Sequence, residues 1–217
     1  MRGPAILAAM TTPLPRPTRD PLAWAAGLPD AVTAGFFLLL WLFPAWLGAA
    51  ALKTGLLMML VEFILLHATA MIGGTLLSRE PGQPMRWRAL AGFSVLYLAF
   101  ILAWCLQFQA WWPVLAFGWL LAGKAALAMQ PVPVAAKRER LSSDWALGVI
   151  FYLGGVFATS VLPLPRLGLD RAVVAAADLP GSGQWVDRPH TVVAFGLVYF
   201  ALLSVSKARG WKLPKSA

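Results

Sequence analysis

Six long apolar runs, set apart by short basic segments, constrain this chain more than any other feature. They cover roughly residues 31–47, 54–77, 89–107, 111–129, 145–162 and 191–206. Each is about 17 to 24 residues long, the length an α-helix needs to cross hydrocarbon at about 1.5 Å per residue. A membrane β-barrel would instead show segments of about ten residues alternating polar and apolar, and the sequence has no such alternation. The fold class that follows is all-α, a polytopic transmembrane helix bundle of about six spans. Composition agrees: 59% of residues are apolar and 12% charged, with a mean hydropathy of +0.71, too apolar for a water-soluble domain. A length of 217 residues fits one such membrane domain.

Basic residues set the orientation. Arg2, Arg16 and Arg19 precede the first run, Arg79, Arg86 and Arg88 fall in the second connection, Lys137, Arg138 and Arg140 in the fourth, and Lys207, Arg209, Lys212 and Lys215 follow the last. These thirteen lie on one side of a six-span chain; the other side has four, Lys53, Arg166, Arg171 and Arg188. Cytoplasmic loops carry the excess of Lys and Arg, so both termini are expected inside a bacterial inner membrane. Trp46, Trp111, Trp112 and Trp185 then fall near the outer interface, and Trp24, Trp87, Trp145 and Trp211 near the inner one, where amphipathic indoles prefer to sit.

Three regions follow. Residues 1–30 read as a flexible cytoplasmic lead-in, rich in proline and arginine; the apolar stretch 5–10 is too short for the core of a cleaved signal peptide. Residues 31–206 form the membrane domain, and 207–217 a basic cytoplasmic tail. Asp30 before the first run, and Ser142, Ser143 and Asp144 before the fifth, offer oxygens that cap helix starts. The one long outer connection, 163–190, holds a stretch at 171–178 suited to a short interfacial helix, followed by a Pro-Gly-Ser-Gly turn.

The net charge of +9 is explained by topology, so nucleic acid is not an expected partner. The expected partners are the lipid bilayer and other membrane protein subunits. Cys105 is the sole cysteine, which excludes an internal disulfide, and no Cys/His spacing suggests a metal finger.

Residues able to carry chemistry are few. Glu62 and His67 lie within about 5 Å of the midpoint of the second run. An intramembrane carboxylate is costly unless protonated, paired or facing water, so Glu62 marks either a functional site or a neutral group hydrogen-bonded to a neighbouring helix. Five residues correspond to about 140° around a helix, which keeps Glu62 and His67 from pointing into one small site, although they can flank a shared crevice. Thr69 and Gly73 lie closer to the Glu62 face, and Gly73 is small enough to let another helix approach. His67 is a conceivable haem ligand, but the other spans supply no second histidine, and His190 falls at the outer edge; no cofactor is expected. Lys124, in the fourth run, either snorkels to the headgroups or pairs with Glu62. Gly154, Gly155 and Thr159 in the fifth run read as close helix packing.

The run Val61-Glu62-Phe63-Ile64-Leu65-Leu66-His67-Ala68-Thr69-Ala70, together with Arg-Pro-His-Thr-Val-Val-Ala-Phe-Gly-Leu-Val-Tyr-Phe-Ala-Leu-Leu at 188–203, resembles an uncharacterised bacterial family of polytopic inner-membrane proteins. The resemblance covers about a fifth of the chain and implies no activity. Nucleophile elbows, zinc-protease helices, phosphate loops and dinucleotide fingerprints are missing. The expected function is therefore non-catalytic, as an accessory subunit or scaffold. The alternatives are a small proton- or cation-coupled transporter using Glu62, and a membrane enzyme or haem protein.

Overall fold

The computed structural model describes residues 21–77, 86–129, 131 and 133–211, and every regular element among them is helical. The chain runs through α1 (Pro21–Leu42), α2 (Pro44–Leu47), α3 (Ala49–Ala68), a π-helical segment (Thr69–Gly73), α4 (Gly74–Leu77), α5 (Trp87–Phe108), α6 (Trp112–Met129), α7 (Val134–Val161), α8 (Arg171–Ala177), α9 (Gln184–Asp187) and α10 (Pro189–Arg209). Five stretches are long and apolar enough to cross a membrane: Trp24–Leu42, Ala49–Leu77, Trp87–Phe108, Val134–Val161 and Pro189–Arg209. The fourth apolar run of the sequence becomes α6, 18 residues long.

α10 is the central helix. Half of its most apolar stretch is buried, against 17% for α5, and Val192, Val193, Phe195 and Tyr199 are wholly enclosed. It pairs with α1 in antiparallel fashion, because glycines let the two backbones approach. A Cβ on Gly27 would stand 2.7 Å from the Ser204 carbonyl oxygen, and one on Gly196 would stand 2.5 Å from the Phe37 ring. The start of α1 and the end of α10 therefore share one end of the bundle, where Lys207 Nζ meets Asp30 Oδ2 at 2.6 Å. Gly210, in the left-handed region at φ +61°, ends α10 by giving its N–H to the carbonyls of Ser206 and Lys207.

The outer faces are apolar. Val95, Leu96 and Phe100 on α5, Leu115 and Trp119 on α6, and Ile150, Leu153 and Phe157 on α7 are all exposed. A water-soluble monomer rarely leaves so much contiguous apolar surface uncovered, whereas lipid solvates it.

Two boundaries differ from the sequence expectation. Helix α1 begins ten residues before the apolar run, so residues 21–30 of the expected lead-in are helical; residues 1–20 lie outside the described ones. Pro21 has the φ that suits a first helical position, and the segment docks on α10 through Gly27. Asp30 is consequently not a cap but the ion-pair partner of Lys207. Helix α7 likewise starts at Val134 rather than beside residue 145, which puts Ser142, Ser143 and Asp144 inside it. Polar residues outside hydrocarbon can continue a helix as readily as start one, and hydropathy marks only the apolar part.

The connection 163–190 is pinned to the bundle. Trp41 Nε1 donates to the Pro165 carbonyl at 3.1 Å, and the Gly168 N–H donates to the Trp41 carbonyl at 3.0 Å. Its expected short helix is present as α8, capped by Asp170 Oδ1 accepting from the Val173 N–H at 2.9 Å. Gly181 and Gly183, at φ +90° and +113°, make the turn that leads into α9.

Candidate functional site

A polar constellation within the apolar bundle forms where α3, α7 and α10 meet. Glu62 sits on α3, half-buried, and its Oε1 accepts the hydroxyl of Tyr199 at 2.6 Å. Tyr199 is the middle residue of α10 and has no exposed surface. One turn before Glu62, the carbonyl of Met59 accepts the hydroxyl of Tyr152, from α7, at 2.8 Å. The rings of Tyr152 and Tyr199 meet edge to face with centroids 5.5 Å apart. Each phenol thus packs its ring into the bundle and hands its polar tip to α3, which suits an aromatic carrying a single donor.

Small residues make this junction possible. A Cβ on Gly148 of α7 would lie 2.9 Å from the Leu66 side chain and 3.9 Å from the Tyr199 hydroxyl oxygen, and one on Gly155 would fall 2.7 Å from the Phe195 ring. Gly148 and Gly155 therefore seat α7 against α3 and α10. Gly154, grouped with Gly155 in the sequence reading, has nothing within 4 Å of such a Cβ. The Thr159 hydroxyl donates back to the Gly155 carbonyl at 2.9 Å.

Two turns beyond Glu62 the ladder of α3 changes. Residues Thr69–Gly73 take one π-helical turn before α4 resumes, and the Thr69 N–H is shared between the Leu65 and Leu66 carbonyls. Such single turns occur often at functional sites. Gly73, within the turn, allows α7 to approach: a Cβ there would be 2.6 Å from Leu141 Cδ2.

The remaining sequence candidates go elsewhere. His67 faces outward and is exposed, with its Nδ1 2.9 Å from the Phe63 carbonyl oxygen and its ring 4.3 Å from that of Phe63. Thr69 is half-buried at the start of the π turn. Lys124 is half-buried on α6. The Glu62 carboxyl, one of the two destinations the sequence offered Lys124, is met instead by Tyr199 from the central helix. His190 is buried in the first turn of α10, at the end of that helix.

Tyr199, Tyr152 and Gly148 are the participants that sequence reasoning missed. A signal for them existed. The chain has three tyrosines, and Tyr152 and Tyr199 stand near the middle of apolar runs, at the depth of Glu62. A buried phenol there needs an acceptor.

No family model matches the chain, and neither a curated protein nor a solved structure matches it.

Proposed function

We propose that this chain is a six-span protein of a bacterial inner membrane, with both termini cytoplasmic, that works without catalysis as an accessory subunit or scaffold. The observation that carries the non-catalytic reading is the Tyr199–Glu62 hydrogen bond. The one mid-membrane acid is already engaged by a buried residue of the central helix, as expected of a fastening between helices rather than of a reactive group. The antiparallel pairing of α1 and α10 supports an even number of crossings, with α6 as the sixth. The thirteen-to-four distribution of basic residues supports the orientation. The lipid bilayer and neighbouring membrane subunits are the partners in this reading.

A second reading, proton- or cation-coupled transport, draws on the π turn two helical turns beyond Glu62, since such turns occur frequently at functional sites. Purification from native membranes in mild detergent, with identification of co-purifying proteins and a visible absorption spectrum, tests the assignment. Stoichiometric membrane partners and a featureless visible spectrum are expected. A Soret band would overturn it in favour of a haem protein.

A further inference from the structure

At the end of the bundle opposite the Asp30–Lys207 pair lies an open-mouthed cavity of about 430 Å³, lined by α3, α5 and residues 180–186. Its volume falls within the range of small-molecule sites, about 300–1,000 Å³. The wall on α3 is Leu56 and Leu60, and the mouth carries Gln107, Ser182 and Gln184, all three exposed. Leu60 lies about 16 Å along α3 from its first residue, so the cavity extends from the helix ends well into the apolar layer.

Trp104 also lines it. Its Nε1–H, as the ring stands, is shielded from the surface and from the cavity alike and has no acceptor among the described residues; a tilt of the ring is what presents it to the cavity. An indole nitrogen is a donor only, and a buried donor without an acceptor is a rare state in a folded protein. None of the lining residues is charged; an ionised group entering the cavity would lose hydration with no counter-charge to replace it. The shape therefore favours an apolar chain, the mouth favours a polar neutral end, and the indole favours a hydrogen-bond acceptor between them. Trp104 is four residues inside the end of α5, about 6 Å, near the depth at which the glycerol esters of a bilayer give way to its acyl chains.

We propose that this cavity binds the acyl-ester portion of a lipid. The ester carbonyl accepts from Trp104 Nε1 as the indole tilts toward it, the chain lies along Leu56 and Leu60, and the glycerol end meets Gln107 and Gln184. The occupant comes either from the bilayer, as one chain of a phospholipid, or as a freely diffusing monoacylglycerol.

Native mass spectrometry of the full chain, released from detergent micelles, tests this with three probes offered separately: dioleoylphosphatidylcholine, 1-monooleoylglycerol and octadecene. The wild-type protein should retain one molecule of an ester lipid and no octadecene, and the ester retained identifies the source. Trp104→Phe, which keeps the ring and removes the donor, should lower occupancy about tenfold, the scale of one hydrogen bond. Leu60→Trp, which fills the cavity, should abolish retention. The proposal is overturned if the wild type retains neither ester, if octadecene is retained as well as the esters, or if Trp104→Phe binds like the wild type. Because Trp104→Phe is a conservative change, the test stands even if Leu60→Trp fails to fold.

Discussion

Tyr199 and Glu62 lie 137 residues apart in the chain, yet the Tyr199 hydroxyl meets Glu62 Oε1 at 2.6 Å, joining the central helix to α3 within the apolar layer. In membranes an interhelical hydrogen bond contributes about 0.6 kcal/mol on average and up to about 1.7. Tyr199→Phe and Glu62→Leu should each lower thermal stability in mild detergent by about 1 kcal/mol, whereas Glu62→Gln, which keeps an acceptor for the phenol, should cost less. In a double-mutant cycle the Phe/Leu pair should destabilise by less than the two single changes added together. Strict additivity would show that the contact contributes nothing to stability.

Close packing of α10 gives a sharper expectation. Gly196→Ala forces a methyl to 2.5 Å from the Phe37 ring, an overpacking that costs about 1–3 kcal/mol. Gly154→Ala meets open space and should be neutral or slightly stabilising, since alanine is the better helix former. Melting temperatures of the two variants, measured side by side, check the contrast.

The Asp30–Lys207 pair predicts an asymmetry. The Lys207 side chain is 45% exposed and that of Asp30 is 12% exposed. Removing the lysine leaves the more buried partner without its counter-charge, while removing the aspartate leaves an ammonium that still reaches water. Lys207→Met should therefore destabilise more than Asp30→Asn, with the latter costing about 1 kcal/mol or less. Urea titration of the purified protein in detergent micelles reads the order of the two variants, and equal effects would contradict it.

The span arrangement is tested by reporter fusions. Fusions after Arg88, Arg140 and Lys215 should report the cytoplasm, and one at Gly183 should report the exterior, as the basic residues require. A cytoplasmic signal at Gly183 would contradict six crossings.

The apolar runs were legible because hydrocarbon imposes a length, and each of them is helical, the second divided by its π turn. The helix starts of α1 and α7 were not, since hydropathy is silent once a helix leaves the apolar layer. Docking through Gly27 extends α1 back to Pro21. Glu62 stood out because a lone acid in an apolar run has few explanations, but its partner did not. Tyr199 belongs to a run 137 residues away, and periodicity along one helix does not tell which other helix will face it. Pairing with Lys124, the alternative to snorkelling that the sequence offered, rested on opposite charge alone. The structure answers the carboxyl with a neutral phenol, which engages it without burying a second charge. The outward direction of His67 was half-visible in the 140° that separates it from Glu62.

Proton movement through Glu62 separates the fastening from the transporter most directly. The purified protein and its Glu62→Gln variant are reconstituted into liposomes loaded with a pH-sensitive dye, and acidification of the lumen is followed after an external pH step, with and without a potassium-diffusion potential. If Glu62 serves as an acceptor for Tyr199, both proteins leak no faster than empty liposomes. A flux through the wild type that disappears in Glu62→Gln, with equal amounts of folded protein in the two preparations, would contradict the account and make Glu62 a proton carrier.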